Sequence, residues 1–133
     1  MDSQSYCIAN GDSFEIAPEM GCNVISWVVD GKEVFYRHPD FGSDPAKFYY
    51  GGNPVLYPCV GRTWDRSGST PRFGVYRIHG IDGELTMPLH GLMRSAEPSL
   101  TAVEAGPCKV LVEYEVTFPK AVLDEAYPFD LSL

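Results

Sequence analysis

His90-Gly91 is the pairing in this chain best suited to proton chemistry on a bound ligand. An imidazole can hold or relay a proton near neutral pH. The glycine beside it removes a side chain, so a ligand or another stretch of backbone can come close. Arg94, three residues past the glycine, can offer a forked donor to hydroxyl or phosphate oxygens. Arg62 stands just past Tyr57-Pro58-Cys59-Val60-Gly61, where a strand would open into a loop. Tyr57 and Trp64 flank that arginine. Flat aromatic faces suit the C–H face of a sugar ring, and tyrosine adds a hydroxyl. Each of these residues also has a plainer use: a hydrogen-bonded strand histidine, a solvated arginine, a core-filling tyrosine or tryptophan.

Other chemistries find less support. Gly51-Gly52 lacks the G-x-x-x-x-G-K-[ST] pattern of a phosphate loop, and no helix start follows it. His38, His79 and His90 are far apart, without H-x-H or H-E-x-x-H spacing, so no metal site is expected. A serine hydrolase would want a G-x-S-x-G elbow, which is absent. His79 is assigned to structure. Asp65 and Arg66 are expected to form a solvated pair on a loop.

The elements that would position these groups read as strands. The 11 prolines and 13 glycines interrupt nearly every window long enough for a helix. Ser13 to Ala17 alternates, and Val24 to Val29 is β-branched and aromatic. Asp30-Gly31 then precedes Glu33 to Tyr36, which predicts a hairpin with a type I′ turn. From Lys109 to Phe118, Val110, Val112, Tyr114, Val116 and Phe118 share one face, a period of two. Val75 to Ile78 reads as a short strand. A last run begins at Tyr127-Pro128-Phe129 and still alternates at Leu131-Ser132-Leu133. Asp40–Lys47 and Thr63–Arg72 read as loops. No repeat, low-complexity tract or linker divides residues 1–133, so a single all-β domain is expected: an antiparallel β-sandwich or part of one.

Composition sets bounds. Apolar residues make up 44% and charged residues 21% of the chain, as in a soluble globular protein. A formal net charge of −8 without a basic cluster excludes nucleic acid as a partner and favours a small neutral or weakly charged ligand. No apolar run approaches the roughly 20 residues of a membrane helix, and the first residues carry no basic, then apolar, targeting pattern. Cys7, Cys22, Cys59 and Cys108 are scattered, without CxxC spacing. They are expected to be reduced and mostly buried thiols in a cytoplasmic protein.

Three blocks in order, Gly51-Gly52-Asn53-Pro54 with Val55-Leu56-Tyr57-Pro58, then Arg62, then Met87-Pro88-Leu89-His90-Gly91-Leu92-Met93-Arg94, resemble the first half of the aldose 1-epimerases. These are the sugar mutarotases and their hexose-phosphate epimerase relatives, and the blocks lean toward the latter branch. The resemblance covers the chain from about Phe14 onward, and Tyr127-Pro128-Phe129-Asp130-Leu131 resembles the strand start that follows in the family. It implies a large antiparallel β-sandwich that uses two histidines, a glutamate and no cofactor. Mutarotation opens a pyranose and recloses it on the other face. A base takes the anomeric proton while an acid protonates the ring oxygen. His90 matches the family's first histidine, near the ring oxygen and anomeric centre, and Arg62 matches the sugar-binding arginine.

The family's second histidine and glutamate lie further on, and no residue here matches them; Glu113, Glu115 and Glu125 sit in no matching motif. The expectation is therefore a fragment, or a shortened relative, of an aldose 1-epimerase-like enzyme that binds a sugar through Arg62 and His90. Its catalysis would need a missing half from elsewhere. Half of a large sandwich leaves an apolar face and a strand edge uncovered, which predicts a homo-oligomer or a complementary half-chain. Two alternatives stand beside it: a non-catalytic carbohydrate-binding β-module, and a ligand-free assembly domain.

Overall fold

The computed structural model of the chain describes residues 2–41 and 51–129. Its strands are β1 (Gln4–Cys7), β2 (Ser13–Ala17), β3 (Asn23–Val29), β4 (Lys32–Glu33), β5 (Trp64–Asp65), β6 (Arg72–Phe73), β7 (Val75–Tyr76), β8 (Leu85–Thr86), β9 (Glu97–Ala105) and β10 (Val110–Thr117). One short helix follows, α1 (Lys120–Ala126). All strand pairs are antiparallel. The fold is all-β, and among the described residues no helix is long and apolar enough to cross a membrane.

Strands β1 to β4 form a four-stranded meander. Asp30 (φ 50°) and Gly31 (φ 73°) both adopt positive φ between β3 and β4, as a type I′ turn requires. The carboxylate of Asp12 steadies this turn by accepting the Asp30 N–H at 2.9 Å. Strand β4 is shorter than the sequence predicts, because a side chain replaces the ladder. Glu33 accepts the N–H groups of Trp27 (2.9 Å) and Phe35 (3.1 Å) and the Ser26 hydroxyl. Partial desolvation works against the ionised Glu33, but these bonds and the nearby Arg37 charge prevail and hold its carboxyl below the usual range.

Register places Tyr6, Phe14 and Trp27 side by side on one face of this sheet. Tyr6 stacks on Phe14 at 5.2 Å, and Trp27 meets Phe35 at 5.8 Å. Hollows of about 300 and 310 Å³ lie along this aromatic row, and both are lined by Phe14 and Trp27. Trp27 is 45% exposed, while Tyr6, Phe14 and Phe35 are half-buried.

Strands β9 and β10 form the longest hairpin, with a bulge between Glu113 and Tyr114. Tyr114 ties it to the meander: its hydroxyl donates to Gln4 Oε1 at 2.5 Å, as does that of Tyr6 at 2.7 Å. Burial, then the neighbouring Tyr6, pushes the Tyr114 hydroxyl up to about 12. The main core joins Met87, Leu92, Met93, Val116, Phe118 and Ala126. Burying each of the larger side chains contributes about 1.5–3 kcal/mol.

Four expectations are corrected. Thr63–Arg72 is not simply a loop, because its ends pair as β5 and β6. Asp65 is not solvated with Arg66; it is buried and bonds Arg72 instead. Tyr127-Pro128-Phe129, where the last run begins, lie outside any strand; before them Lys120–Ala126 coils into α1, capped by the Tyr127 N–H on the Leu123 carbonyl at 2.8 Å. Its window lacks glycine and proline, an i,i+4 Lys120–Asp124 pair (2.5 Å) supports it, and Val122, Leu123 and Ala126 pack on the core. The thiols are not mostly buried: Cys22 and Cys59 are half-buried, and Cys7 and Cys108 are exposed. Residues 42–47 of the first predicted loop and 130–133 of the last run lie outside the described residues.

Candidate functional site

Three segments run side by side around His90. The Gly74 N–H bonds the Thr63 carbonyl (3.0 Å), and the Met87 N–H bonds the Gly74 carbonyl (2.7 Å). The His90 N–H reaches the Gly61 carbonyl at 2.8 Å. Gly61 returns the bond, its N–H donating to His90 Nδ1 at 3.0 Å. That reciprocal clasp orients the imidazole. With Nδ1 accepting, a neutral ring carries its proton on Nε2.

The next residues lock the clasp to the core. His90 (φ 67°) and Gly91 (φ 88°) turn through the left-handed region. Gly91 bridges Tyr57, and the Leu92 N–H donates to the Tyr57 carbonyl at 2.6 Å. A Cβ on Gly91 would lie 2.2 Å from that carbonyl oxygen, so only glycine fits. Leu92 and Met93 then plunge into the main core. Upstream, Gly52 packs as closely on β3: its Cβ would lie 2.6 Å from both the Val24 carbonyl oxygen and the Asn23 side-chain oxygen. The doubled glycine serves backbone approach there.

Arg62 follows Gly61, so the clasp sets His90 next to the arginine's own segment. The Arg62 side chain is exposed, and its guanidinium lies over the Phe73 ring, 5.3 Å from the centroid. Trp64 is paired in register with Phe73, ring centroids 3.9 Å apart, and the Arg66 guanidinium covers Trp64 at 5.7 Å. Tyr57 is half-buried and packs against the core cluster. Arg94 is exposed on a 3-10 turn, Met93–Ser95. His79 is exposed, just before the positive-φ Gly80. The structure thus gathers His90, Arg62, Trp64 and Tyr57 on adjoining segments, with Arg94 beyond the anchor at Leu92-Met93.

A second network braces the hairpins beneath. Arg72 bonds Asp65 and also forks onto Glu84 at 2.8 and 2.6 Å; Arg77 joins Glu84 at 2.5 Å. The Ser67 N–H (2.8 Å) and hydroxyl, then Arg72, hold the Asp65 carboxyl well below the usual range. Arg72 first, with Arg77 adding its charge, lowers Glu84 against partial desolvation.

Sequence reasoning missed Phe73, Gly61 and the role of Arg66. One signal was present: Arg62, Trp64 and Arg66 alternate at the strand period, which puts them on one face and Asp65 on the other. The described cavities lie elsewhere, the largest (about 560 Å³) against Phe118, Leu123 and Phe129. Among the described residues, no three His, Cys, Asp or Glu side chains gather as a metal site.

No protein-family model and no curated protein matches the sequence. The fold is similar to the crystal structure of Slr1438 protein from Synechocystis sp. PCC 6803, with a TM-score of 0.73 and 21% identity. The match covers 91% of this chain and 38% of that one. The chain therefore spans well under half the length of the solved protein it matches, and at this identity the likeness carries the fold alone.

Proposed function

We propose that this chain is the sugar-binding part of an aldose 1-epimerase-like protein whose ligand is a hexose or hexose phosphate. The observation that carries the reading is the clasp between His90 and Gly61. It fixes the imidazole beside the segment of an exposed arginine and an aromatic pair. These are the groups that a pyranose engages: donors for its ring and hydroxyl oxygens, and flat faces for its C–H bonds. In this reading His90 donates to the ring oxygen or anomeric hydroxyl, and Arg62 holds the hydroxyls. Arg94 offers a further forked donor, and Trp64 and Tyr57 border the ring. Interconversion of α and β anomers also needs a proton acceptor across the ring, which this reading assigns to polypeptide beyond these residues.

The aromatic row of Tyr6, Phe14 and the exposed Trp27, with the hollows along it, supports self-association, because apolar surface gains by being covered. Unpaired thiols, two of them exposed, suit a reducing compartment, and the reading places the protein in the cytoplasm.

Titration with glucose, galactose and glucose 6-phosphate, followed by polarimetry on freshly dissolved α anomers, tests the proposal. Saturable binding that is weakened by Arg62→Ala and His90→Asn supports it. Binding without rate enhancement would make the chain a carbohydrate-binding module. Absence of binding at millimolar sugar would sink the reading.

A further inference from the structure

We infer that Phe73, a residue outside the motifs, positions Arg62 so that its hydrogen-bond donors stay free for a ligand. The argument starts from how an arginine can be held. A carboxylate engages the edge of the guanidinium and consumes its N–H donors. An aromatic ring engages the face and leaves all five donors unspent.

The hairpin uses both modes on different arginines. Arg72 and Arg77 are held by the carboxylates of Asp65 and Glu84. Among the described residues, neither Arg62 nor Arg66 has a carboxylate partner. Each lies instead over a ring, Arg62 on Phe73 at 5.3 Å and Arg66 on Trp64 at 5.7 Å. The two rings brace each other at 3.9 Å across the β5–β6 pair, so the platform is built by strand register. Phe73 is 54% exposed and Trp64 43%. Leaving such rings in water gains little from burial, so their use here is to hold the guanidinium. The hairpin is tied to the clasp, since the Gly74 N–H after Phe73 bonds the carbonyl of Thr63, next to Arg62.

The consequence for binding rests on the sugar-site reading; the consequence for Arg62 itself does not. Two measurements keep them apart. The first is the Arg62 Nε–Hε signal in nitrogen-15 NMR of the free protein. It is expected to carry a ring-current shift that Phe73→Leu removes and Phe73→Trp keeps, with unchanged circular dichroism in both. The second is affinity for galactose and glucose 6-phosphate. Phe73→Leu is expected to weaken it about two- to fivefold, the reach of an exposed cation–π contact. Phe73→Trp is expected to restore it, and Phe73→Leu should add nothing in an Arg62→Ala background. An Arg62 signal indifferent to Phe73→Leu would overturn the positioning role, as would an equal affinity loss with and without Arg62. If no sugar binds at all, the sugar reading falls, and the NMR signal alone decides the role of Phe73.

Discussion

Replacing Gly91 by alanine should damage this protein far more than the same change at Gly83. Both glycines adopt positive φ, 88° and 99°, so both alanine variants incur the left-handed cost of about 1–2 kcal/mol. They differ in what the new methyl meets. At Gly83 nothing lies within 4 Å. At Gly91 the Cβ would stand 2.2 Å from the Tyr57 carbonyl oxygen, 2.5 Å from its carbon and 2.9 Å from the Pro58 nitrogen. All three are backbone atoms, and none can swing aside. The Tyr57 strap must retreat by most of an ångström, which lengthens the Leu92-to-Tyr57 bond and loosens the core anchor. Overpacking of this kind costs a further 1–3 kcal/mol or so. Gly91→Ala should thus lose roughly 2–5 kcal/mol against about 1–2 for Gly83→Ala, out of the 5–15 typical of small domains. Urea unfolding followed by tryptophan fluorescence reads the difference. At the usual slopes, the midpoint of Gly91→Ala falls on the order of 1 M below that of Gly83→Ala. Equal midpoints would refute the close-approach argument.

Four further outcomes follow from the same geometry. His90→Asn should keep the fold within about 0.5 kcal/mol, because Asn tolerates positive φ and its side-chain oxygen can replace Nδ1; His90→Ala should cost about 1–2 kcal/mol, read by thermal melts. Stability should fall as pH drops below about 4, since Asp65 and Glu84 have folded-state values lowered beneath their unfolded ones, and the loss continues as they protonate. Arg72→Gln should flatten that acid limb in pH-dependent urea titrations. Tyr114 should ionise late, near pH 12, in ultraviolet-difference titration; its value is raised, so its contribution is intact below about 10 and is lost through 12. Trp27→Thr should reduce self-association in sedimentation velocity at tens of micromolar, and a wild-type monomer under those conditions would contradict the role given to the aromatic row.

Period-two runs and turn chemistry made much of the fold legible. Ser13–Ala17, Val24–Val29 and Val110–Thr117 are strands because alternation or β-branching left them no other periodic structure, and Asp30-Gly31 specified its turn. Strand β9, with Glu97, Pro98 and Ser99 at its start, carries no such pattern; it is held by its pairing with β10, a tertiary cause invisible locally. Helix α1 was hidden by the prolines around it, although five of its seven residues, Lys120, Ala121, Leu123, Glu125 and Ala126, are good helix formers. At the site, the His90-Gly91 step was readable as a close approach. Its partner, the Gly61 N–H, was not, because 29 residues separate them and a glycine announces no bond. Asp65 and Arg72 looked like loop charges for the same reason: their pairing depends on the hairpin register.

The central claim is that the clasped imidazole of His90 and the stacked guanidinium of Arg62 serve one bound sugar. Nitrogen-15 NMR of both side chains during titration with galactose and glucose 6-phosphate tests it most directly. Both signals should move together along one saturation curve, and Arg62→Ala should weaken the response of His90. Signals that stay fixed while sugar binds elsewhere, or move with different affinities, would contradict it.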